Sequence, residues 1–179
     1  MKLWIRLAQT IDALNERIGR ALLWLVAVVT LISAANALMR YGFGISSNAW
    51  LEIQWYLFGA IFLLGAGYTL KHNGHVRIDV LYGRWSPRGR AWIDLFGTAL
   101  FLLPLSALMA WLSWHGFSES WNSGEVSSDA GGLLRWPVRL LIPLGFTLLG
   151  LQGIAEIIKR IAFLRGQGTL PHEAPMEEV

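Results

Sequence analysis

The chain has 179 residues, 54% of them hydrophobic and 15% charged, with a formal net charge of +3. Soluble domains carry about 25% charged residues; here the charges are nearly absent from four windows and gathered between them, which excludes an ordinary soluble core and marks a helical membrane protein. The absence of cysteine excludes disulfides, thiolate metal sites and cysteine nucleophiles.

In chain order, residues 2–20 read as an amphipathic helix. Trp4, Leu7, Ile11, Leu14 and Ile18 follow helical spacing, while Lys2, Arg6, Asp12, Glu16, Arg17 and Arg20 fall mostly off that stripe. Such a helix suits the membrane interface; docking on the protein's own surface is the other reading. The first apolar run is Ala21–Met39, and about 20 residues cross a hydrocarbon core of about 30 Å. Ala35-Asn36-Ala37 resembles a signal-peptidase site, but the preceding segment is long and contains acids, so the run is expected to stay as a span.

The second run is Trp50–Leu70, followed by a basic hairpin over 71–90. Ser86-Pro87 reads as N-cap and first helical residue. It starts a third helix expected to end near Trp114, with Pro104 inside it. Residues 115–134 are rich in Ser and Gly and read as the longest loop. The fourth run is Trp136–Ile158, with Pro137 at its start and Gly166 placed for a left-handed C-terminal cap. The tail GQGTLPHEAPMEEV lacks periodicity and reads as disordered. The expected organisation is an interfacial helix at 1–20, a four-helix transmembrane domain at 21–165 (spans about 21–39, 50–70, 91–114 and 136–158) and a tail at 166–179.

Lys and Arg divide unevenly between the two sides of such a bundle. Twelve lie before the first run, in the hairpin or after the fourth run; Arg40, Arg135 and Arg139 lie on the other side. The positive-inside rule then places both termini and the hairpin in the cytoplasm. Trp24, Trp85 and Trp92 fall near the inner interface, and Trp50, Trp55, Trp111, Trp114 and Trp136 near the outer one, the depth that tryptophan prefers. The fold class is thus an all-α integral membrane protein with four transmembrane helices and both termini cytoplasmic. Topology, rather than nucleic-acid binding, accounts for the net charge.

Ionisable groups inside a membrane are functional candidates by default. Few are present: Glu52, Asp94 and Glu156 lie near helix ends, and Asn36 and Gln152 are the deepest polar side chains. Helix bridging is the ordinary role of such groups. Glu52 is expected to favour the helix dipole, to pair with Arg40, or to meet a partner chain. His72 and His75 lie in a polar loop with no third ligand, so neither zinc nor haem is expected. No phosphate loop or Ser-His-Asp order appears, so catalytic, cofactor and metal residues are expected to be none. Helical glycines favour close packing over a pore, and the residues describe an accessory or scaffold subunit.

Three segments together resemble the small permease subunit of TRAP (tripartite ATP-independent periplasmic) transporters, the DctQ-type family. They are Glu52 with Trp55-Tyr56; Gly65-Ala66-Gly67-Tyr68 followed by Gly74-His75-Val76-Arg77-Ile78-Asp79; and Arg135-Trp136-Pro137 with Ile142-Pro143-Leu144-Gly145. The resemblance spans residues 15–165. Asp129-Ala130-Gly131-Gly132-Leu133 looks like a subgroup associated with carboxylate-type substrates. The resemblance implies a large permease subunit that carries the solute and sodium sites, a periplasmic solute-binding protein, and a small subunit in the bacterial inner membrane that extends the fixed scaffold among membrane lipids.

Glu52, Trp55, Tyr68, Gly74, His75, Arg77, Asp79, Arg135, Pro137 and Arg139 are its candidate structural and partner-interface residues. Arg77 and Asp79 are expected to pair locally, bind headgroups or lock against helices, and the loop with Arg135 and Arg139 is a candidate contact for the receptor. The alternative is a four-span scaffold or assembly protein unrelated to transport.

Overall fold

The computed structural model describes residues 2–75 and 84–167. Val76-Arg77-Ile78-Asp79 of the hairpin signature and the tail from residue 168 lie outside the described residues. Four helices are long and apolar enough to cross a membrane: α1 (Lys2–Phe43), α2 (Asn48–Lys71), α3 (Pro87–Ser123) and α4 (Trp136–Leu164). Among the described residues the one β-type pairing is the bridge between Val126 and Leu134.

No boundary separates residues 2–20 from the first apolar run. α1 is one unbroken helix of 42 residues, about 63 Å long at about 1.5 Å per residue, twice a hydrocarbon core. Its buried stripe is Ala8, Ile11, Asn15, Gly19 and Leu22, whereas Trp4, Leu7 and Leu14 are exposed. Small residues let the backbones of α1 and α4 approach. Ala8 and Ile11 form a cluster with Ala155 and Ile158 of α4.

α4 is the central helix and packs against the other three, while α1 also packs along α2. Glycine makes the closest of these contacts possible. A Cβ at Gly145 would sit 2.7 Å from the carbonyl oxygen of Leu63 on α2, and one at Gly67 would land on the side chain of Asn15. The outer faces are apolar, with Leu31, Phe62, Phe101 and Trp111 exposed, as a helix surface covered by hydrocarbon requires.

α3 begins as its sequence predicts. The Ser86 hydroxyl accepts from the Gly89 amide at 3.2 Å, and Pro87 opens the helix. Thr98–Leu102 widens into a π-turn just before Pro104. Proline offers no N–H to the carbonyl four residues back and its ring crowds that carbonyl, and a local π adjustment relieves both. α3 then continues to Ser123, nine residues past Trp114, so the loop is 124–135 rather than 115–134. Trp114, Phe117 and Trp121 make tilted ring contacts along that extension, and serine hydroxyls fold back onto preceding carbonyls.

Three helices stop by the same device. Asn73 (φ 53°), Gly124 (φ 61°) and Gly166 (φ 72°) take the left-handed conformation. The amides of Gly74, Glu125 and Gln167 then reach back to the carbonyls of Thr69, Ser120 and Ala162, which is the Schellman arrangement.

Candidate functional site

Two polar clusters lie at opposite ends of the bundle. The far end holds the α1–α2 turn and the 124–135 loop. There Glu52 and Tyr56, one helical turn apart on α2, both face inward. Glu52 is only 3% exposed. One carboxylate oxygen accepts the Ser127 hydroxyl in a short bond, and the other accepts the Leu133 amide at 2.7 Å. The Tyr56 hydroxyl donates to the Leu134 carbonyl at 2.9 Å, and the Asn48 amide to the Ala130 carbonyl at 3.1 Å. α2 therefore straps the loop by its backbone.

Cations complete this end. Arg135, the N-cap residue of α4, donates to the Ser127 hydroxyl at 3.0 Å and lies 3.8 Å from Glu52. Its guanidinium sits 5.3 Å from the Trp55 ring centre, a cation–π distance. Arg139, one turn on, bonds Glu125 at 2.7 Å and the Gly116 carbonyl at 3.2 Å. Pro137 opens α4 between them. A buried carboxylate is tolerable only with such a set of donors. Arg40 takes no part: the Glu52–Arg40 pair considered from the sequence is replaced by Glu52 with Ser127, Leu133 and Arg135.

The terminal end ties α1, α3 and α4 together, side chain to side chain. Asn15 donates to Gln152 at 2.9 Å, and both are fully buried. Gln152 donates in turn to Asp12 at 2.7 Å and to Glu156 at 3.1 Å. Lys159 bridges Asp12 at 3.1 Å and Glu156 at 2.5 Å. Arg160, 4% exposed, makes a short bond to Glu156 and reaches Asp94 of α3 at 3.2 Å. Gln152, Glu156 and Arg160 recur at helical spacing on α4, and Asp12 and Asn15 share one side of α1, so the two sets meet once α1 lies along α4. Asn15 Oδ1 has no hydrogen-bond donor among the described residues. It lies over the Cα of Gly67, where a C–H can offer a weak contact.

Beside this cluster, before the apolar run of α1, Glu16 gathers Lys71 at 2.6 Å, His72 at 2.9 Å and Arg20 at 3.0 Å. Lys71 above all, then His72, holds its carboxyl down to a pKa of about 2. Tyr68 packs its ring on Gly19 and on His72, 4.3 Å between ring centres.

The ten residues singled out in the sequence fall into separate places. Glu52, Trp55, Arg135, Pro137 and Arg139 meet at the far end. Tyr68 joins α2 to α1 at the terminal end. Gly74 supplies the second amide of the α2 cap, and His75 is exposed just beyond it. Arg77 and Asp79 lie outside the described residues. Sequence reasoning missed the partnership of Asp12, Asn15, Lys159 and Arg160 and the hub at Glu16. The available signal was that Asp12, Asn15 and Gly19 share one helical stripe with Ala8. Among the described residues no group of three or more His, Cys, Asp or Glu is placed to hold a metal ion. Both clusters can hold the helices and the 124–135 loop together.

Comparison with known proteins gives the chain a family. The family described as tripartite ATP-independent periplasmic transporters, DctQ component, matches residues 29–163. An ectoine TRAP transporter small permease protein of Halomonas elongata is 25% identical over 156 residues, covering 85% of this chain and 78% of that protein. A Haemophilus influenzae protein described as a TRAP transporter small permease is 29% identical over 110 residues, 62% of this chain and 68% of its own. A C4-dicarboxylate TRAP transporter small permease protein of Vibrio cholerae is 29% identical over 114 residues, 63% of this chain and 48% of its own. No solved structure matches the chain with comparable significance. With the family matched across all four helices, the chain belongs to the DctQ component family of tripartite ATP-independent periplasmic transporters and is a small membrane subunit of that kind.

Proposed function

We propose that this subunit is a fixed, non-enzymatic scaffold for a large permease in the bacterial inner membrane. On this reading the large chain carries the solute and sodium sites, a periplasmic solute-binding protein delivers an organic acid or related solute, and both termini here face the cytoplasm. The family match carries the proposal. The relatives named for C4-dicarboxylate and for ectoine are consistent with the solute class. The spending of the buried charges supports the scaffold role. Glu52 is engaged by the 124–135 loop and Arg160 by Asp94 of α3, while Glu156 is held by Gln152, Lys159 and Arg160 of its own helix. The excess of Lys and Arg at the terminal end supports the orientation.

Deleting the chain while confirming that the large subunit still inserts is the direct test. Receptor-dependent uptake is expected to be lost. Uptake at the wild-type rate with the large subunit in place overturns the reading.

A further inference from the structure

One strip of the α1–α2 pair carries polar side chains that nothing in the described chain covers. Ser33, Asn36, Ala37 and Arg40 fall on one side of α1 at helical spacing. Ser33, Ala37 and Arg40 are exposed and Asn36 is half-buried. Ser33 is satisfied, because its hydroxyl donates to Gln54 at 2.7 Å, and Gln54 donates to the Trp50 carbonyl at 2.8 Å. Asn36 and Arg40 are not. Among the described residues neither side chain has a hydrogen bond or ion pair. Asn36 also lines a cavity of about 120 Å3 with Ala35, Met39, Ile45, Ser47 and Trp50.

Asn36 lies inside the apolar run Ala21–Met39, one turn deeper than Arg40. Lipid tails offer no partner to an amide at that depth. A long arginine can snorkel to headgroups; the short side chain of Asn36 cannot. At the terminal end the buried side chains of Asn15, Gln152 and Arg160 do find partners on neighbouring helices. The occupant that supplies hydrogen-bonding groups within hydrocarbon is another helix.

We propose that the Ser33–Asn36–Arg40 strip docks a transmembrane helix of a second chain, presenting an amide or hydroxyl to Asn36, a carboxylate to Arg40 and one apolar side chain to the cavity. The cavity is of the right order for that side chain, being somewhat smaller than the roughly 150 Å3 space that admits a benzene ring. The proposal rests on the reading of the chain as one subunit of a two-part permease, so the second chain is the large permease.

The chain has no cysteine, so single cysteines report one position each. Ala37→Cys lies on the strip, and Leu108→Cys lies on the exposed face of α3. Each variant is expressed with the whole transporter and reacted in native membranes with a photoactivatable maleimide. Ala37→Cys is expected to give an adduct with the large chain, and Leu108→Cys none. If the large chain co-purifies but the adduct forms from Leu108→Cys alone, or if Ala37→Cys captures only lipid, the docking face is wrong and the functional reading stands. If no large chain co-purifies with the wild-type protein, the functional reading fails and the docking proposal with it. As a second measure, Arg40→Glu and Asn36→Leu should each lower recovery of the complex about tenfold at an unchanged membrane level of this chain. Unchanged recovery for both variants overturns the proposal.

Discussion

The two polar clusters solve the same problem in different ways. At the far end a carboxylate on α2 is matched to a loop, and its partners are a backbone amide and a hydroxyl of that loop. At the terminal end carboxylates, amides and cations of three helices are matched to one another. The first arrangement shapes a segment that has little apolar packing of its own. The second fixes how helices lie against each other, and its members are expensive to leave unpaired. Losing the first should therefore be felt locally, and losing the second globally.

The sharpest way to break this contrast is Glu156→Ala. It leaves Arg160 buried beside Asp94 alone, and it should lower unfolding stability by about 3 kcal/mol, read as a fall in the denaturation midpoint in detergent. The double variant Glu156→Gln with Arg160→Met should lose less than the single one, because it removes the stranded charge. A larger loss in the double variant would count against a desolvation origin.

Glu52→Ala comes next, at about 1.5–3 kcal/mol for hydrogen bonds to a charged group. Its signature is local: amide exchange at Leu133 and across 124–135 should rise about tenfold or more, while the bundle midpoint moves less than in Glu156→Ala. Equal midpoint shifts with no change in exchange would erase the distinction between the two ends.

Gly67→Ala probes a close approach at the terminal end. The added methyl meets Asn15, and overpacking of this kind costs about 1–3 kcal/mol. Adding Asn15→Ala should restore part of that loss, and a double-mutant cycle reads the coupling. Purely additive losses would show that the two residues do not share the contact.

The smallest effect is the pH dependence of Glu16. Lys71 above all, then His72, holds its folded pKa down to about 2 from the ordinary carboxylate value of 4.5. The stabilisation is therefore fully present above about pH 4.5 and is lost as pH falls through about 2. Glu16→Gln should melt below the wild type at neutral pH and converge with it at the acid limit. A gap that stays constant from pH 7 to pH 2 would contradict the assignment.

The sequence made the four apolar helices legible because length and hydropathy act over many residues and outweigh local detail. The proline starts at Pro87 and Pro137 and the left-handed Gly166 were legible for local reasons. The extension of α3 past Trp114 was not, since HGFSESWNS reads as polar; ring contacts of Phe117 with Trp114 and Trp121 line it instead. The face that α1 turns to α4 was not legible either. Hydrophobic periodicity weights large side chains, but the face against α4 is Ala8, Ile11, Asn15 and Gly19. Glu52 was visible as a membrane carboxylate, yet its partners are a serine and a backbone amide about 80 residues away, pairings that composition does not encode.

The unbroken α1 has a mechanical consequence. It contains no proline from Lys2 to Phe43, so it resists sharp bending and acts as a strut. Asp12 and Asn15 grip α4 near one end, leaving about 40 Å of helix beyond the grip. A tilt of about 5° at the grip swings the Phe43 end through roughly 3–4 Å. Whatever loosens the terminal cluster thus misaligns the opposite membrane face, and leverage couples two surfaces that share no side-chain contact among the described residues.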